Sequence, residues 1–130
     1  MVITGRMLIM KAMQKAGILT KNEVPTSAEV NDALECLNAL MASWLTDSLL
    51  SSAAVQESLP LTLDDIIDLP PGWELALIWN LAEDLLPEYG MADDPRVERK
   101  ARLTKGHIKR AAAAQLSLDS IYANNKGKMS

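Results

Sequence analysis

Phenylalanine is absent from this 130-residue chain, tyrosine occurs twice, and cysteine and histidine occur once each. A lone Cys36 cannot close an intramolecular disulfide, which excludes the disulfide-framed secreted domains. Long apolar runs are missing too. The longest stretch without a charge, Cys36 to Thr46, falls well short of the roughly 18 apolar residues that a membrane span needs. Near the start, Arg6 and Lys11 leave only Met7 to Met10 as an apolar stretch, too short for a signal peptide. Synthesis in the cytoplasm, without export or membrane insertion, is therefore expected. β-Branched residues are also thin: Val, Ile and Thr number 5, 8 and 6, against 20 Leu and 17 Ala. Leu and Ala lose little entropy in a helix, whereas strands favour β-branched and aromatic side chains.

What is present predicts an all-α protein. A chain of this length forms one domain and can remove roughly two thirds of its unfolded surface from water. The pattern suits a small bundle of about four helices, with a long C-terminal helix or arm and a loop or short β segment between the second and third helices. Residues 1–94 should hold the bundle core, with residues 47–72 as an inserted loop. Residues 95–130 should form a basic helix and a flexible tail.

The individual elements are signalled by caps and periodicity. Thr4 is placed to cap a first helix from Gly5 to Ala16, with Leu8, Ile9, Ala12, Met13 and Ala16 on one face and Gly17 to end it. Thr26 and Glu29 form a capping-box pattern ahead of a second helix. Its apolar stripe runs through Val30, Ala33, Leu34, Leu37, Leu40, Met41, Trp44 and Leu45, with Glu29, Asp32, Glu35 and Asn38 opposite. Val55 to Leu63 alternates loosely and could be extended or an edge strand, since Pro60 argues against a central one. A third helix is expected from Trp73 to Leu86, with Leu75, Ile78, Trp79, Ala82, Leu85 and Leu86 inward. Leu77 and Leu81 widen its apolar arc, and Pro87 should stop it. Asp94 and Pro95 read as cap and first residue of a fourth helix reaching about Leu118. Its apolar stripe of Val97, Ala101, Ile108, Ala111 and Ala112 is thin, so this helix should be underpacked in a single copy. Ile121 to Ser130 reads as a mobile tail.

Charge is unevenly divided. Residues 1–95 carry fifteen acids and four bases, whereas residues 96–130 carry nine bases and two acids, within an overall charge of −4. Such a dipolar chain suits either an anionic partner at its C-terminal end or head-to-tail contact between copies.

Catalytic patterns are scarce. His107 lies among bases and reads as a solvated helix position, because a general base needs a partner to orient it. Cys36 has no basic neighbour close in sequence and reads as a small buried hydrophobe. Asp64, Asp65 and Asp68 lack the glycine turn and distal Glu of a calcium loop, so a solvated surface is preferred. No phosphate-cradling glycine loop or nucleophile elbow is present. Neither enzyme activity nor a cofactor or metal is implied. The basic run Arg96, Arg99, Lys100, Arg102, Lys105, Lys109 and Arg110 has three readings: a solvated face, a surface for an acidic protein groove, or a surface for a nucleic-acid backbone.

The stretches Lys15 to Ile18 (K-A-G-I), Pro25 to Glu29 (P-T-S-A-E), Asp32 to Trp44 (D-A-L-E-C-L-N-A-L-M-A-S-W) and Asn80 to Gly90 (N-L-A-E-D-L-L-P-E-Y-G) carry a further signal. In order and spacing they resemble head-to-tail adaptor proteins of tailed bacteriophages. This is the tail accessory, or packaged-DNA-stabilisation, group of head-completion connectors. The resemblance covers roughly residues 5–110. It implies a virion structural protein that joins a ring, with twelve copies, below the portal after DNA packaging. Such a ring extends the DNA channel, helps to retain the genome and receives a downstream tail, stopper or nozzle protein. The implied partners are the portal, other copies of the chain and, non-specifically, packaged DNA, with no membrane. The implied location is the head–tail junction after assembly in the host cytoplasm.

The basic run would then be an arm for the portal or a neighbouring subunit. Acidic candidates for the subunit contact are Glu29, Asp32, Glu35, Asp64, Asp65 and Asp68. Because the fourth helix would be ordered only on contact, the free chain should be largely monomeric. The competing expectation is a small helical DNA-binding or regulatory protein using the same basic helix.

Overall fold

The computed structural model describes residues 2–20, 22–50 and 59–128. Its element order is β1 (Val2–Thr4), α1 (Gly5–Lys15), α2 (Ser27–Thr46), β2 (Ile66–Asp68), α3 (Pro71–Glu88) and α4 (Pro95–Lys128). Among the described residues the expected all-α bundle of four helices is found, with one two-stranded antiparallel sheet added to it. Of the expected extended segment from Val55 to Leu63, residues 55–58 lie outside the described residues, and residues 59–63 form no strand. The strand comes later in the loop. Thr4 pairs with Ile66, Ile3 with Ile67 and Val2 with Asp68, which turns Ile3 and Ile67 together into the core. Gly5 leaves room beside this sheet, because a Cβ there would lie a tight 3.0 Å from the Thr62 carbonyl oxygen.

The caps form as their chemistry demands. The Met7 amide donates to Thr4 Oγ1 at 3.2 Å. The Glu29 amide donates to Thr26 Oγ1, and the Thr26 amide donates to a Glu29 carboxylate oxygen. At the other end of α1, Gly17 takes φ of 77°, and the Ile18 amide donates to the Met13 carbonyl. This Schellman closure uses the left-handed conformation that glycine adopts without strain.

Three boundaries differ from expectation. Helix α3 starts at Pro71, whose fixed φ suits a first helical turn, and it runs past Pro87 to Glu88. Its stop is a second Schellman closure: Gly90 has φ of 67° and the Met91 amide reaches the Leu86 carbonyl. Helix α4 does not end near Leu118; the segment expected to be a mobile tail is helical to Lys128. The Ala111–Ala114 run favours continuation, and Gly106 is tolerated within the helix at a cost of about 1 kcal/mol.

Helix α3 is the centre of the core, with ten buried residues. Leu77, Leu81, Ala82 and Leu85 are fully enclosed, but Leu75, expected inward, is 48 % exposed. Asn38, assigned to the polar face of α2, faces the loop. Its side-chain amide accepts from the Leu61 amide at 2.6 Å and donates to the Leu61 carbonyl at 3.1 Å. At opposite ends of the α2–α3 pair, the Trp73 indole donates to the Leu49 carbonyl and the Tyr89 hydroxyl donates to the Glu29 carbonyl.

The expectation of an underpacked fourth helix is overturned for its first half. Val97, Ala101 and Ile108 are each at most 1 % exposed, because the wide apolar arc of α3 supplies what the thin stripe lacks. The buried Asn80 side chain donates to the Ala101 carbonyl at 3.1 Å and ties the two helices together. Thr104, also buried, returns its hydroxyl to the carbonyls of Lys100 and Ala101. Beyond the half-buried Ala112, every side chain that the structure describes (Ala113, Ala114, Leu118 and Ile121) is exposed.

Candidate interaction site

The seven bases from Arg96 to Arg110 separate by face. Val97, Ala101, Thr104 and Ile108 define the buried side, so helical periodicity turns Arg99, Arg102 and Arg110 outward. These three are exposed, as are Arg96, Lys100 and Lys109, whereas Lys105 is half-buried. The Arg110 guanidinium donates to His107 Nδ1 at 3.1 Å. The exposed Leu103 lies on the same outward side. That surface is therefore cationic with an apolar element, along a helix of 34 residues, about 50 Å at 1.5 Å per residue.

Arg96 sits apart on the flank towards α1. Its guanidinium donates to the Lys15 carbonyl at 3.1 Å. Lys15 Nζ and the Arg96 guanidinium both lie over the Trp79 ring, 5.3 and 5.8 Å from its centre. The aromatic face attracts both cations without neutralising either. Adjoining them, Lys11, Gln14, Lys15, Pro71, Glu74, Leu75 and Ile78 line a groove of about 430 Å³ between α1 and α3. Glu74 is 7 % exposed and its Oε2 is buried with no hydrogen-bond partner among the described residues.

The six acids proposed for a subunit contact are not brought together. Glu29, Asp32 and Glu35 lie on the N-terminal half of α2. Asp64, Asp65 and Asp68 lie in the loop and β2, beside the start of α1, where the Gly5 amide donates to the Asp65 carbonyl. Glu29 is engaged in the capping box, and its hydrogen bonds from Thr26 hold its pKa down. Asp65 accepts from the Thr62 amide at 2.7 Å within its own turn.

The structure gathers a different set of acids. Glu83, Asp84 and Glu88 of α3, Asp93 and Asp94 of the following turn, and Glu98 of α4 line a cleft of about 590 Å³, with Cys36, Ala39, Leu86 and Pro87 as its less polar wall. Burial raises the pKa of Glu83, and Asp84, Glu98 and Asp93 raise it further, against the opposing charge of Lys105. Burial also raises that of Asp84, again opposed by Lys105. The Cys36 thiol is pushed up by burial and then by Glu88, Asp84, Asp32 and Glu35, the reverse of what a nucleophile requires. Among the described residues, no group of three or more His, Cys, Asp or Glu is placed to hold a metal ion. The sequence signal for this cleft was the density of acids from Glu83 to Glu98, which contains Arg96 as its only base.

Cleft and groove lie on opposite flanks of the α3–α4 pair. Glu83 and Pro87 of the cleft are each nine residues from Glu74 and Ile78 of the groove, about two and a half helical turns. On α4, Glu98 faces the cleft and Arg96, two residues earlier, faces α1.

The domain thus has two opposed charged flanks and a long helix whose outward face carries exposed bases. A model of the P22 tail accessory factor family matches residues 1–123. The chain belongs to that family. No curated protein matches the chain. As a tail accessory factor it is a structural component of the bacteriophage virion rather than an enzyme. Among the described residues, no helix is long and apolar enough to cross a membrane.

Proposed function

We propose that this tail accessory factor is a head-to-tail connector subunit that assembles as a ring, of twelve copies, beneath the portal. In this reading the ring extends the DNA channel, helps to retain the packaged genome and offers a surface to the next tail component. The observation that carries it is the division within α4. Its first half is locked onto the core through Val97, Ala101 and Ile108, while Leu118 and Ile121 beyond it are 61 % and 56 % exposed. A helix continued well past the surface it packs against needs a second surface, and one with exposed apolar side chains suits protein better than solvent. The outward bases Arg99, Arg102 and Arg110 precede them on α4 and suit an acidic surface on the portal.

Contacts with packaged DNA are secondary here. Phosphate contacts by a few exposed bases are independent of sequence and weaken with salt, which suits a channel wall and gives no base-specific reading. The test is to mix the chain with portal rings and image the product. A ring of copies on the tail-proximal face of the portal is the expected outcome. No binding to portal, together with a salt-steep shift of short duplex DNA, would overturn the connector reading in favour of a DNA-binding protein.

A further inference from the structure

We infer that the two flanks of the α3–α4 pair dock on one another in successive copies: the Lys11, Lys15 and Arg96 flank of one copy enters the acidic cleft of the next. The inference rests on the connector reading and deepens it by assigning the subunit contact to surfaces separate from the outward face of α4.

Charge complementarity names the occupant as a second copy. One flank presents Lys11, Lys15 and Arg96, with the latter two held over Trp79 and no carboxylate needed to position them. The other presents Glu83, Asp84, Glu88, Asp93, Asp94 and Glu98 around a shared cleft. Burial already disfavours the ionised forms of Glu83 and Asp84, and at Glu83 the neighbouring acids add to it; a cation entering the cleft favours the charged form of both. Each surface also has an apolar component suited to contact: Leu75 at 48 % exposure beside the lysines, and the exposed Pro87 in the cleft wall.

Geometry selects the mode of association. A two-fold contact of either flank with itself would oppose acid to acid or base to base, which costs several kcal/mol. Joining unlike flanks is a heterologous contact, and opposed positions let it repeat from copy to copy until the rotation closes. The outward bases of α4 take no part, so the same copy remains able to engage a portal.

Two reversed chains test this. The cleft variant carries Asp84→Lys and Glu88→Lys, and the flank variant carries Lys11→Glu and Lys15→Glu. Sedimentation at low salt should show each alone as a monomer. Mixed in equal amounts, they should associate at least ~10-fold more tightly than either does with itself. The reversed cleft then receives the reversed flank, and the two native surfaces pair as usual. A mixture that stays monomeric, or a single variant that associates as well as the mixture, overturns the inference. Should a reversal unfold the chain by circular dichroism, the neutral set Asp84→Asn, Glu88→Gln, Lys11→Gln and Lys15→Gln replaces it. The neutral chain should self-associate at least ~3-fold more weakly than the native one, and equal association overturns the inference. Failure of the native chain to load on portal rings counts against the connector reading instead, since the mixing result does not involve portal.

Discussion

The two halves of α4 share a helix and little else. From Pro95 to Ile108 it is a bundle helix, with a buried face against α3 and a hydrogen bond from Asn80 across the seam. Beyond Ala112 the described side chains are exposed, and the backbone remains helical to Lys128. The difference teaches that a thin apolar stripe is enough when its partner helix offers a wide apolar arc. Three small or medium residues at helical spacing pack against α3, whereas the following turns have no comparable surface to meet. Stability belongs to the first half, and in the proposed connector role the second half is surface left for a partner.

Removing side chains from each half gives the sharpest contrast. Ile108→Ala should cost about 2–5 kcal/mol, because Ile108 is 1 % exposed and its deletion leaves a cavity between α3 and α4. Ile121→Ala should stay within about 0.5 kcal/mol, and equal losses in chemical denaturation would erase the distinction. Asn80→Ala should cost about 1 kcal/mol, since it removes the side-chain donor shared by the Ala76 and Ala101 carbonyls. Amide exchange should then quicken along the first half of α4.

A smaller effect of opposite sign is expected at the cleft. The fold raises the pKa of Glu83 above its ordinary 4.5, so the folded chain keeps this proton at pH values where the unfolded chain has lost it. Its contribution to stability is therefore best at low pH and is lost as pH rises through the folded value. Glu83→Gln should raise the melting temperature at pH 7 by about 1–2 °C, and the gain should vanish below the ordinary carboxylate range. A gain unchanged at low pH would mean that charge is not its cause. Smallest of all, deleting residues 115–130 should move the melting temperature by about 1 °C or less while abolishing recruitment to portal.

Much of the bundle was legible in the sequence. Thr4, Thr26 with Glu29, and the Leu37–Met41–Trp44 stripe act locally or at a fixed helical period, so residue order alone determines them. The boundaries that were misread depend on competing local signals. At the end of α3, Pro87 is a helix breaker in general, but it lies within the last turn, and Gly90 makes the termination. The candidate site was less legible. Glu29 and Asp65 look alike in a list of acids, yet each is consumed by a cap or turn beside it. The cleft acids are spread over α3, a turn and α4, and only the close approach of these elements makes them one surface.

The sequence by itself determined the helical class, the principal caps and the concentration of bases after residue 95, because propensity, capping and charge are properties of neighbouring residues. Tertiary structure alone decided that α4 is half core and half free surface. It also decided that acid and base stand on opposite flanks of α3 and α4. Those outcomes depend on which faces of distant helices meet, and burial and pKa shifts exist only once they have met.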